Sequence, residues 1–206
     1  MPRHGKKYRD AVAKVDRQKR YSVDEGVDLA LNLKYSKFDE SVDAAFKLGV
    51  DPKHADQMLR GSIGLPHGTG KKARVLVFAK GDKASEAEKA GADYVGAEDF
   101  VEKITGGWLD FDVAIATPDM MKVISKLGRI LGTRGLMPNP KLGTVTTDIE
   151  RAVKEQKAGK VEYRTEKTGI VHVSIGKVSM GAPKIADNFR TIINEIIRVK
   201  PSSSKG

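Results

Sequence analysis

The sequence predicts a split α+β domain, contributed by both ends of the chain, with a doubly wound α/β unit inserted between its halves. Three observations lead there. Residues from about 69 to 159 alternate strands and helices at the spacing of a small layered α/β unit. The two ends carry hairpin-like strands and amphipathic helices instead. Neither end has enough strands for a stable sheet of its own. One antiparallel sheet with helices, shared by residues 1–68 and 159–206, with residues 69–158 inserted, is the simplest arrangement.

Taken in order, the first twenty residues hold eight Lys or Arg and two Asp. They predict a basic arm that is mobile alone and orders on an anionic partner. Ser22 and Glu25 form a capping box, each side chain satisfying a backbone N–H at a helix start. Val27, Ala30, Leu31 and Lys34 follow at helical spacing, giving a helix from about Val23 to Lys34. Val42, Ala44, Phe46, Leu48 and Val50 alternate with polar neighbours, as in a strand with one buried face.

Arg74 to Ala79 is a short apolar run, as in a strand covered on both sides. A helix over Lys83–Ala90, a strand over Ala92–Val95, a short helix over Glu98–Ile104 and a strand over Phe111–Ala116 complete the alternation. Thr117 and Pro118 then open a helix, and Thr147 with Glu150 suggests a second capping box, its helix ending near Gly159. Beyond it, Lys160–Arg164 and Ile170–Ile175 read as a hairpin turning at Glu166–Gly169. Pro183 opens a last helix whose stripe of Ile185, Phe189, Ile192, Ile193, Ile196 and Ile197 marks it as a core helix.

Charge narrows the function. The chain carries a formal charge of +10, which favours polyanions through counterion release. Residues 69–158 hold fifteen basic and thirteen acidic residues, so +8 of that charge lies on the two ends. The composite domain is therefore the better place for a nucleic-acid site. Cysteine is absent, excluding disulfides, thiolate metal sites and cysteine nucleophiles, and suiting a reducing cytoplasm. The first residues lack the apolar stretch of a signal peptide, and no run reaches the ~18 apolar residues of a membrane span.

Enzymatic signatures fail. Gly68-Thr69-Gly70-Lys71-Lys72 invites a phosphate-loop reading, but Leu65 stands where the motif needs its first glycine and Lys72 where it needs a hydroxyl. The stretch also leads into a strand rather than a helix. His4, His54, His67 and His172 have no metal-ligand spacing. Asp110 with Asp112, and Asp39 with Glu40, are neighbours in sequence, which does not make a converging acid–base pair. No catalytic residue, metal or cofactor is expected, and the chain is not read as an enzyme.

The most distinctive stretch lies between Met120 and Thr147, with Lys122, Lys126, Arg129, Arg134 and Lys141 and no acidic residue. Its core, Lys126 to Lys141, is too rich in Gly and Pro for one helix. It reads either as an ordered loop offering cations (Arg129, Arg134, Lys141) and backbone N–H groups to phosphate, or as a structural loop covering one end of the sheet. This run resembles the signature of the bacterial ribosomal large-subunit protein number one (L-one) family. The resemblance extends in order through Met1-Pro2-Arg3-His4-Gly5-Lys6-Lys7-Tyr8, Lys37-Phe38-Asp39-Glu40, Leu65-Pro66-His67-Gly68, Gly91-Ala92-Asp93-Tyr94-Val95-Gly96 and Ala116-Thr117-Pro118-Asp119.

The resemblance implies a split α+β domain with a Rossmann-like three-layer α/β domain inserted. It also implies a cytoplasmic ribosomal protein, monomeric when free. Its partners would be large-subunit ribosomal RNA at the mobile stalk, exit-site tRNA whose release it assists, and its own-operon mRNA, whose translation it represses. Lys37, Phe38, Asp39, Glu40 and Ser41 match the family's RNA-facing segment. Lys37 suits phosphate and Phe38 suits ribose or base, although Phe38 could instead be a core residue. Arg164, Lys167, Thr168 and His172 around the hairpin are the second expected RNA segment; for His172 a satisfied surface histidine is the alternative. Family members continue past the last helix into a strand carrying Thr-Met-Gly. The sequence given reaches Ser202-Ser203-Ser204-Lys205-Gly206 without that triplet, a departure from the family's pattern at one of its RNA contacts.

Overall fold

A computed structural model describes residues 5–201 and Ser204; Met1 to His4, part of the first motif quoted above, lie outside the described residues, as do Ser202, Ser203, Lys205 and Gly206. The basic arm is not wholly irregular. Lys6–Ala13 forms helix α1, built from the good helix formers Lys, Arg and Ala, and it buries no residue fully. Helix α2, Val23–Asn32, starts on the predicted capping box, with Ser22 Oγ accepting from the Glu25 amide at 3.3 Å and the Ser22 amide donating to Glu25.

The ends of the chain pair as two antiparallel ladders. Strand β1, Ser41–Lys47, pairs with β7, Ile170–Lys177, from Ser41 opposite Lys177 to Lys47 opposite Ile170, with a bulge after Val42. Strand β2, Arg60–Gly64, pairs with β6, Lys160–Arg164. The expected hairpin is thus corrected. Its strands meet at a single bridge, Thr165 to Val171, beside the turn, then diverge to different partners. Strand β2 was not predicted, because Arg60-Gly61-Ser62-Ile63-Gly64 has one large apolar residue and no alternation. Gly61 is required there, since a Cβ would run into the Tyr163 ring lying across it.

Helix α8, Ala182–Val199, closes this unit. Val27, Ala44, Leu48, Leu59, Val171, Val173, Ile175, Ile185, Ile192 and Ile196 form its core, drawn from both ends of the chain. Phe46 stacks on Phe189 at 5.8 Å. One member of the expected stripe fails, since Ile197 is 67% exposed. Fully buried Asn188 is the polar tie of the unit. It accepts from the His67 amide at 3.1 Å and donates to Gly68 O at 2.8 Å and Ile175 O at 2.9 Å, which satisfies its buried amide.

Between the ladders the chain makes a parallel sheet in the order β4–β3–β5, from Tyr94–Gly96, Val75–Phe78 and Val113–Ala116. Every residue of β3 is buried, as its unbroken apolar run requires. Helices α3 (Asp82–Lys89) and α7 (Ile149–Lys157) cover one side around Val75, Val77, Ile115 and Val153. Helix α4 (Glu98–Thr105) covers the other around Leu76, Phe78, Ile104, Ile124 and Leu131. Two start signals shift. The Thr117 hydroxyl makes no capping bond. Helix α7 is capped by Asp148, which accepts from the Arg151 amide at 3.2 Å, rather than by Thr147.

The Gly-rich stretch after Met120 is more helical than its composition suggests. It runs through α5 (Met121–Ile124), a 3₁₀ turn at Ser125–Leu127 and α6 (Gly128–Thr133), and only then into open loop. Burial of Ile124, Leu127 and Leu131 outweighs the weak helix propensity of its glycines. The two chain crossings between the middle and the ends touch backbone to backbone. Gly159 has φ +96°, and a Cβ there would stand 2.5 Å from Gly68 Cα.

Candidate nucleic-acid interface

The loop entering β1 carries the first expected segment, and its geometry divides the residues by role. Asp39 turns inward. Its carboxylate accepts from the Ser179 amide at 3.0 Å and the Ser179 hydroxyl at 2.7 Å, with Lys177 Nζ 3.8 Å away. The Ser179 hydroxyl chiefly, with Lys177 adding to it, holds this carboxyl below its ordinary pKa. Glu40 is half-buried and bonded within its own loop. It accepts from the Ser36 amide at 2.9 Å, and hydrogen bonds from Ser36 lower its pKa in the same way. Lys37 and Phe38 are left outside, with Phe38 69% exposed. That places Phe38 on the surface and not in the core.

Ser41 begins β1 on its exposed face, followed by Asp43, Ala45 and Lys47. Across the ladder His172 stands opposite Ala45. The turn that carries Lys167 and Thr168 lies beyond the Lys47 end, and both side chains are exposed. The two expected segments therefore flank the β1–β7 ladder, Lys37 and Phe38 before Ser41 and Lys167 and Thr168 beyond Lys47, while Arg164 lies on β6 in the other ladder. Six residue steps from Ser41 to Lys47 separate them by roughly 20 Å at the usual strand rise. They form a stripe, not a single pocket.

Beside the far end lies a groove of about 830 Å³, bounded by Pro52, Met58, Glu162, Arg164, Lys167 and His172. His172 Nε2 stands 3.7 Å from Glu166. Partial desolvation by its neighbours pushes the Glu162 carboxyl up, against the pull of Arg60 and Lys160, although the residue lies on the exposed face of β6. Arg60 is directly opposite Arg164 in the β2–β6 ladder. Like charges so placed repel, and an anion lying between them would relieve the repulsion. Sequence reasoning missed Arg60 because it missed its strand, and missed Ser179 because the Asp39 anchor spans 140 residues.

Among the described residues, Lys37, Lys47, Arg164 and Lys167 take part in no ion pair. Several cations of the middle unit do: Lys80 meets Glu98 at 2.8 Å, Lys83 meets Glu86 at 2.7 Å and Lys157 meets Asp93 at 2.6 Å. Arg74 binds both Asp110 and Asp112, and its hydrogen bonds hold Asp112 below the ordinary carboxylate range. That pair is a strand-edge ion cluster, not an acid–base couple.

Arg129, Arg134 and Lys141 are exposed in the second basic region. Asn139 caps the turn before Lys141, accepting from its amide at 2.8 Å, and left-handed Gly143 ends it. Leu142 O accepts from Ser62 Oγ at 3.2 Å, which ties the region to β2. Leu131, Leu136 and Met137 pack into the core below it, so one stretch is both a covering segment and a cationic surface. No helix among the described residues is long and apolar enough to cross a membrane.

An exposed stripe of unpaired cations with a projecting aromatic, on the end of the molecule that carries the net charge, suits a folded polyanion. Comparison with protein families agrees with that chemistry. The model of the Ribosomal protein L1p/L10e family matches residues 30–206, and the chain belongs to that family of structural, RNA-binding proteins of the cytoplasmic ribosome.

Proposed function

We propose that this chain holds large-subunit ribosomal RNA at the mobile stalk, assists release of exit-site tRNA, and represses translation of its own mRNA by binding a similar RNA shape there. The observation that carries the reading is the stripe along the β1–β7 ladder. Lys37 and Phe38 contact RNA at one end, Lys167, Thr168 and His172 contact it toward the other, and Arg164 contacts it from strand β6. Ser41 lies at the edge of the first contact, while Asp39 and Glu40 position the loop. Two ends about 20 Å apart match a folded RNA better than a single phosphate, because recognition by shape needs contacts spread along the backbone.

In this reading residues 1–68 and 159–206 act as one RNA-holding domain, and residues 69–158 form an inserted Rossmann-like domain. The separate cores of the two regions support that division. Arg129, Arg134 and Lys141 are secondary RNA contacts on the inserted domain. The chain acts as a monomer and without a cofactor or catalytic residue.

Two assays test it. Ribosomes lacking the chain should retain deacylated tRNA longer than ribosomes to which it is restored. A reporter behind its own operon's leader should be repressed when the chain is supplied. Unchanged tRNA retention and unrepressed reporter would reject the release and repression roles, respectively.

A further inference from the structure

Tyr35 lies two residues before Lys37 in the loop that enters β1, and it is 52% exposed. The following residue, Ser36, is fixed by its amide to Glu40 at 2.9 Å, and Asp39 is fixed to Ser179 through two hydrogen bonds. Both carboxylates of the loop are thus engaged in hydrogen bonds. The outward side chains read aromatic, cation, aromatic: Tyr35, Lys37, Phe38, with exposed Lys34 just before them.

Three residues of chain place the Tyr35 and Phe38 Cα atoms at most roughly 11 Å apart. About three stacked nucleotides of one strand cover that distance. Aromatic faces beside phosphate-neutralising cations are the combination that holds unpaired nucleotides, since every base offers a π-face. A paired helix hides its bases from such side chains. A protein partner is less well matched, because Lys34, Lys37 and the rest of the loop surround the rings with charge rather than apolar surface.

We propose that Tyr35 is a second stacking platform beside Phe38, and that the pair selects RNA presenting unpaired nucleotides at this end of the stripe. This rests on the RNA reading above. The Asp39–Ser179 and Glu40–Ser36 bonds preorganise the loop, so that the rings are held outward before the RNA arrives.

The test uses the full chain and a stalk-base ribosomal RNA stem with an internal loop, one unpaired adenosine replaced by 2-aminopurine. Tyr35→Ala should weaken binding roughly five- to hundredfold, the range of one lost base–aromatic stack, while Tyr35→Phe stays within about twofold of the parent. The emission change of the 2-aminopurine on binding should shrink with Tyr35→Ala and persist with Tyr35→Phe. If the parent binds and Tyr35→Ala binds equally well, the platform is refuted and the RNA reading stands. Weaker binding with an unaltered emission change also refutes it, since the ring would then be acting on the protein. If the parent itself fails to bind the stem, the RNA reading falls, and this proposal with it.

Discussion

Replacing Phe38 by alanine separates an RNA contact from a folding contact. An aromatic side chain presents about 200 Å² of surface, and at 69% exposure roughly 140 Å² of Phe38 remains for a partner to cover. At about 25 cal/mol per Å² that surface is worth at most ~3.5 kcal/mol on binding. Alanine substitutions at base-stacking aromatics cost about 1–3 kcal/mol, so the stem should bind roughly five- to hundredfold more weakly. The buried remainder of about 60 Å², some of it kept by the alanine Cβ, limits the folding loss to about 1 kcal/mol. Fluorescence titration against the RNA stem, beside a thermal melt, reads both quantities. Normal binding by Phe38→Ala would refute the assignment. A melt lowered as much as the affinity would show that Phe38 serves the fold instead.

Two further predictions test the frame that carries the stripe. Asn188→Ala leaves the His67 amide and the Gly68 and Ile175 carbonyls without their partner, and should cost about 3 kcal/mol or more in denaturant unfolding; a loss under 1 kcal/mol would mean that water replaces the side chain freely. Burial chiefly, with the hydrogen bond to Glu195 adding to it, pushes the Tyr163 hydroxyl up to about 12. A raised folded-state pKa gives stability that is whole below pH ~10, the unfolded value, and is lost as pH rises toward 12. The parent should therefore lose stability over that window more steeply than Tyr163→Phe, and parallel alkaline melts would contradict the assignment.

What the sequence could reveal depended on how local the cause was. The capping box at Ser22 and the apolar run of β3 are set by near neighbours and formed where their patterns lay, whereas the alternation from Val42 to Val50 made a strand only from Ser41 to Lys47, with Leu48 and Val50 buried beyond its end. Strand β2 is set by its partner. Its Gly61 makes room for Tyr163, about a hundred residues away, and no local period records that. The hairpin was half legible for the same reason, since its turn is local while the divergence of β6 and β7 depends on β2 and β1. At the site, the residue types at Lys37 and Phe38 stood in the sequence. The anchoring of Asp39 did not, because Ser179 reaches it only through the β1–β7 pairing. Nothing in the sequence separates Tyr35 from the other four tyrosines; its 52% exposure in the loop of Phe38 does.

The central claim is that this surface reads the shape of an RNA and does more than attract charge. Binding of the chain to a stalk-base ribosomal RNA stem, against an unrelated hairpin of equal length, over a salt series measures that directly. Both affinities should fall with salt as counterion release weakens, while the preference for the stalk-base stem persists or grows. Equal binding to the two RNAs that collapses together as salt rises would contradict the account, leaving only a basic surface.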